Sequence, residues 1–214
     1  MGANPHYNYF NILGVACIAT PEQFTKGMTW YSQCNKTLRE LALRSNIDEI
    51  HVCAVFSALS PNNKIDRNHA DAERMCMAYA TGDEDWRETT VCTYNPNRDK
   101  AVKIIEERHL SGVDDLLSIL NGQKTRSYFL CCMNSMADHP EAVCIDGHAK
   151  NIYYGQRHGL TSDKSNIGKL EYKTISKAYR EAADAFSGLR GEYISASQLQ
   201  AITWTVWRDI HGIR

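Results

Sequence analysis

Apolar residues recur along this chain three or four positions apart, and almost nowhere in the strict alternation of a half-buried strand. Thr20-Pro21-Glu22-Gln23 has the marks of a helix start: a threonine oxygen for the N-cap, proline at the first helical position, and a glutamine to close a capping box. Phe24, Met28, Tyr31, Leu38 and Leu41 then repeat at helical spacing up to about Arg44. Residues 48–59 are apolar on most sides (Ile50, Val52, Val55, Phe56, Leu59), which predicts a central buried helix, with a strand as the alternative. Ser60-Pro61-Asn62-Asn63 breaks it, and the next helix turns Ile65, Ala72, Met75, Cys76 and Tyr79 inward.

Turn residues dominate 82–97, which reads as a surface loop. Short helices are expected over 100–108 and 114–120, separated by Gly112. Asn121-Gly122 makes a tight turn, and a helix over about 124–136 follows, ended by Asp138-His139-Pro140. Cys144-Ile145 is an extended approach to Asp146, a good N-cap for a helix through Tyr154. Residues 155–168 are loop-like, and two final helices are expected over 170–186 and 197–211. The prediction is an all-α protein of about nine helices with short connections.

Composition narrows the class without changing that picture. The 214 residues suffice for one good-sized core or two small ones. Hydrophobic residues at 43% and charged residues at 23% exclude wholesale disorder. The longest strictly apolar run, 12–19, is too short to span a bilayer, and no basic segment precedes it as in a signal peptide. A soluble, cytoplasmic protein is expected, in the host cytoplasm if the source is viral. Twenty-four Lys and Arg against 25 Asp and Glu exclude a uniformly basic protein held to phosphates by bulk charge. The eight cysteines contain no CxxC pair, and most read as small buried hydrophobes in a reducing compartment. Only Cys144 and His148 have a tempting metal spacing, so neither a metal nor a cofactor is expected. Nothing in the sequence sets the oligomeric state.

Chemistry concentrates between Leu117 and Gly155. A tight turn between two helices, Leu120 to Thr125, points backbone N–H groups outward at a helix N-terminus, which suits a phosphate. Lys124 stands there against the helix dipole, which favours a functional reason for it. Asp146 heads the next helix after an apolar lead-in. Over 147–180 seven basic residues (Lys150, Arg157, Lys164, Lys169, Lys173, Lys177, Arg180) face two acidic ones, a local net of +5. That is a local basic face within a neutral total. Ile202, Val206 and Ile210 with Trp204 and Trp207 form a wide apolar stripe that reads as core or subunit contact before it reads as a base-stacking platform.

Four motifs stand in a telling order: Leu59-Ser60-Pro61-Asn62-Asn63; Tyr94-Asn95 with Lys100-Ala101 and Ile104-Ile105; Leu120-x-Gly122-x-Lys124-Thr125; and Ile145-Asp146-x-His148 with Arg157 and Gly159. This order, across half of the chain, resembles the helix-hairpin-helix DNA glycosylases, in their endonuclease III-like and 8-oxoguanine glycosylase-like branches. The resemblance implies a glycosylase-like multi-helix architecture. It further implies one unit over 1–214, or two helical lobes in which 50–160 bears the motifs while 1–49 and 161–214 pack together.

The implied activity is excision of a flipped, damaged or modified base, with DNA as partner and no membrane. Lys124 matches the family's Schiff-base lysine, which gives a bifunctional glycosylase its lyase step. Asp146 matches its essential carboxylate, beside the positive charge that develops on the sugar. An amine nucleophile has to be partly neutral, and a helix N-terminus and desolvation both push it that way. The implied DNA-binding residues are Asn62, Asn63, Asn121, Gly122, Gln123, Thr125, His148, Lys150 and Arg157. The chain departs from the family pattern at Asn62, which replaces a gap-filling glutamine, and in the hairpin, which lacks a proline and one glycine. Asn151 replaces an arginine, and with no cysteine after Cys144 the family's iron–sulfur cluster is absent. Trp30-Tyr31, 58–64, Asp66-Arg67-Asn68 and 200–204 also resemble a family of small phage proteins. Two alternatives follow: an enzyme of phage base hypermodification on the same fold, and a non-catalytic DNA-binding module.

Overall fold

The short apolar stretch at 48–59 resolves as a helix, and a helix of this length has no stability of its own in water. Its helicity comes from packing, because every residue from His51 to Ala58 is buried. This helix is α3 (Glu49–Ala58) in a computed structural model that describes residues 5–109, 112–133, 141–159 and 166–213. Ten α-helices and no strands occur among the described residues, so the chain is all-α. The others are α1 (Pro5–Cys17), α2 (Pro21–Ser45), α4 (Ile65–Ala80), α5 (Asn95–Glu106), α6 (Val113–Ile119), α7 (Gln123–Cys132), α8 (Gly147–Tyr154), α9 (Lys169–Arg190) and α10 (Ala196–Ile210).

The chain divides into two compact units, 32–134 and the two terminal stretches 1–31 with 135–214, and the boundary falls within α2. In the middle unit α3 packs against α4, α5, α6 and α7. Phe56 anchors this core, its ring 4.5 Å from His69 and 5.6 Å from Tyr128. Ile104, Ile105, Leu116, Leu120 and Phe129 fill the rest, all essentially without solvent exposure. Each such side chain contributes about 1.5–3 kcal/mol by burial.

In the terminal unit α1 packs on α9, α8 and α10. Ile12, Ile152, Ile175, Tyr179, Phe186, Leu199 and Ile202 make its core. Gly27 is required by a close approach, since a methyl group there would collide with the backbone of Ile202. Local signals behave as their chemistry dictates. Gln23 N–H donates to Thr20 Oγ1 at 3.2 Å while Thr20 N–H donates to Gln23 Oε1 at 2.9 Å. Ser195 and Gln198 close a second capping box at the head of α10.

Three segments differ from expectation. Helix α1 was not separable in the sequence because its pattern has no polar face. The supposed surface loop 82–97 contains a 3-10 turn at Trp86–Glu88 that buries the indole of Trp86. It also holds the first turn of α5, which starts at Asn95 because Pro96 sits at a position where no N–H is needed. The helix expected over 124–136 is described as far as Cys132, and Asp138-His139-Pro140 lies outside the described residues.

Candidate functional site

The turn between α6 and α7 is built by its glycine. Gly122 has φ 123°, a conformation that side-chain-bearing residues avoid, and it stands at the N-cap of α7. Arg126 N–H donates to Gly122 O at 3.0 Å, and Asn121 N–H closes a tighter turn onto Ile119 O at 2.9 Å. Asn121, Gly122 and Lys124 are exposed, with Gln123 and Thr125 half-buried beside them. Lys124 is the second residue of α7, so the helix–turn–helix presents an amine at a helix N-terminus.

Asp146 is organised differently. It is half-buried, and its Oδ1 accepts the Ala149 N–H at 2.8 Å, which fixes it as the N-cap of α8. The lead-in is pinned by Tyr172, whose hydroxyl accepts the Ile145 N–H and donates to Val143 O, both at 3.1 Å. Deeper in the unit Tyr179 is fully buried, with its hydroxyl 3.3 Å from Thr203 Oγ1. Burial pushes the Tyr179 hydroxyl pKa up; the Thr203 contact pulls it down, and the Asp146 carboxylate nearby pushes it up again.

The remaining residues near Asp146 hold the fold more than they face solvent. His148 is buried, with its ring edge-on to Trp204 at 6.3 Å. Trp204 carries the Arg208 guanidinium 4.2 Å from its centroid and the tilted Trp30 ring at 4.9 Å, so its ring is packed on within the unit. Ile202, Val206 and Trp207 are buried while Ile210 is exposed, so most of that stripe is core. Lys150 donates to Asn166 O at 2.7 Å and pairs with Glu171 at 3.0 Å. Its ammonium is thereby engaged within the unit. The same Glu171 accepts from the Tyr154 hydroxyl, whose pKa desolvation and this bond push up to about 12. Arg157 is exposed, and Asn151 fastens the following segment by donating to His158 O at 2.9 Å. Lys164 lies outside the described residues.

A third cluster belongs to the middle unit, and sequence reading missed its organiser. Asp71 is fully buried on α4. Its Oδ2 accepts from Asn63 Nδ2 at 2.9 Å and from the Cys92 N–H at 2.7 Å, while its Oδ1 accepts from Arg74 at 3.0 Å. Arg74 also donates to Thr90 O, and Thr93 Oγ1 donates to Pro61 O. One buried carboxylate therefore ties the turn at 60–63 to the segment at 90–94. At the tips of the two, Asn62 Nδ2 donates to the Tyr94 hydroxyl at 3.0 Å. Both side chains are exposed, and Asn62 has φ 54°. Only the network could have marked Asp71, since its sequence context is that of any polar helix position.

Lys124 and the Asn62–Tyr94 pair thus belong to the middle unit, and Asp146 to the unit formed by the chain's ends. Among the described residues no group of three or more His, Cys, Asp or Glu is placed to hold a metal ion, and no helix is long and apolar enough to cross a membrane. Residues 5–211 match the model of a family of unknown function (DUF7178), and the chain belongs to that family. No curated protein and no solved structure matches the chain.

Proposed function

We propose that this member of the DUF7178 family is a DNA-acting enzyme of the helix-hairpin-helix glycosylase kind, working on a flipped damaged or modified base. The observation that carries the reading is the setting of Asp146: a half-buried carboxylate clamped by the Ala149 N–H, behind a lead-in locked by Tyr172. A carboxylate so fixed cannot swing away from a sugar brought to it, and its charge stabilises an oxocarbenium-like centre as the base departs. The helix–turn–helix with Lys124 supports the same reading. The N-terminus of α7 grips a phosphate. The Lys124 amine attacks C1′, the bond to the base breaks and the base leaves with the proton that the amine gives up; opening of the C1′–O4′ bond then turns the adduct into a Schiff base, which permits strand cleavage.

Asn62 and Tyr94, held by the Asp71 network, supply a polar and aromatic edge suited to the space an extruded base leaves. The test is to incubate the protein with duplexes carrying oxidised, deaminated or hypermodified bases and to measure base release and duplex binding together. Wild-type protein releases at least one such base, and Asp146→Asn binds that duplex as well as wild type while releasing none. Duplex binding with no release from any substrate would leave a binding module. Release confined to hypermodified thymines would move the function to phage base modification.

A further inference from the structure

The middle unit holds two thiols whose chemistry is independent of the proposed DNA site. Cys34, on α2, and Cys132, the last residue of α7, lie 98 residues apart in the chain, yet their sulfurs are 3.8 Å apart. Both are buried, Cys132 completely and Cys34 with 7% exposure. His69 stands beside Cys34, with its own ring against Phe56. We propose that Cys34 and Cys132 are an oxidisable dithiol, with Cys34 the attacking sulfur and Cys132 the resolving one, which a peroxide converts to a disulfide between α2 and α7.

Bonding requires the sulfurs to close from van der Waals contact to about 2 Å. A thiol donor at Cys132, and after it His69, favours the Cys34 thiolate over the opposing effect of burial, and the Cys34 pKa falls to about 6. The thiolate is the attacking form of a cysteine, so this setting makes Cys34 the nucleophile of the pair. The other buried thiols are set the opposite way. Desolvation pushes the pKa of Cys53 up, and that of Cys76 up to about 12. The steps balance. The Cys34 thiolate attacks one peroxide oxygen and leaves as a sulfenic acid while hydroxide departs and takes a proton to become water. The Cys132 sulfur then attacks the sulfenic sulfur, and its proton goes to the departing hydroxyl as a second water. Two thiols and one peroxide give one disulfide and two waters, and a dithiol reductant reverses the bond by exchange.

The experiment treats the intact protein with stoichiometric hydrogen peroxide, alkylates it under denaturing conditions and maps the peptides by mass spectrometry. The expected product is a linked Cys34–Cys132 peptide lighter by two hydrogens and lost on dithiothreitol treatment, with Cys53 and Cys76 still alkylated. In Cys132→Ser protein the sulfenic acid persists and dimedone labels Cys34. The proposal is overturned if both sulfurs stay alkylatable under peroxide that oxidises the exposed Cys17 and Cys92. Linkage through Cys53 or Cys131 instead overturns it too, and so does a folded Cys132→Ser protein without dimedone label on Cys34. None of these readings involves DNA, so failure here is distinct from failure of the base-acting function.

Discussion

Asn63 donates its side-chain amide to the buried carboxylate of Asp71 at 2.9 Å, and the same oxygen takes the Cys92 N–H at 2.7 Å. A carboxylate can satisfy both donors and Arg74 at once, whereas an amide presents N–H groups to some of them. Asp71→Asn therefore costs about 2–4 kcal/mol of stability, measured by urea unfolding. It also frees the segment at 90–94, seen as faster hydrogen exchange at the Cys92 amide. A loss under about 0.5 kcal/mol would mean that the network is not what holds the two segments together.

The Asn62 tip separates recognition from stability. Its left-handed backbone suits glycine, so Asn62→Gly removes the side chain without adding strain. Unfolding midpoints stay near wild type, while affinity for a duplex with an extruded or modified base falls about tenfold, which is about 1.4 kcal/mol. Fluorescence anisotropy with matched and modified duplexes reads both. Equal weakening on unmodified duplex would reduce Asn62 to a general contact.

Tyr172→Phe deletes one hydroxyl that serves both Val143 and Ile145. Two buried backbone groups lose their partner, so stability drops by about 1–3 kcal/mol and the Ile145 amide exchanges faster. Base release by the variant falls with it, because Asp146 follows directly on the loosened lead-in. Unchanged exchange at Ile145 would show that packing alone fixes that lead-in.

The Cys34–Cys132 pair makes stability depend on pH, with a definite sign. The hydrogen bond from Cys132, and after it His69, lowers the Cys34 pKa in the folded chain from its ordinary value of about 9 to about 6. Stability from this ionisation is fully present above pH 9 and is lost as the pH falls through about 6. Cys132, pushed up by burial and by Cys34, stays protonated as the donor. Cys34→Ser flattens the difference in unfolding free energy between pH 6 and pH 9, and an unaltered slope would place the charge elsewhere.

What the sequence makes legible is what neighbours in the chain decide. The Thr20–Gln23 capping box, the break at Ser60-Pro61, the Gly122 turn and the Asp146 cap all depend on residues within four positions of each other. Helix α1 escapes that reading because its apolar pattern has no polar face to set a period. The burial of Trp86 escapes it because Trp86 packs edge-on to Tyr79, at 5.0 Å, across a turn rich in polar residues. Asp71 with Cys92, Cys34 with Cys132, and Lys150 with Glu171 join positions 21, 98 and 21 residues apart. No local pattern encodes such pairings, so the lysine that looked available for phosphate is engaged within the unit.

Borohydride trapping on a duplex whose modified base the protein releases tests the central claim most directly. An amine that attacks C1′ is captured as a stable covalent adduct, and peptide mapping locates it. The expected result is one adduct on Lys124, absent in Lys124→Ala and in Asp146→Asn protein. Base release with no trapped adduct, or an adduct on another residue, would contradict the assignment of Lys124 as nucleophile.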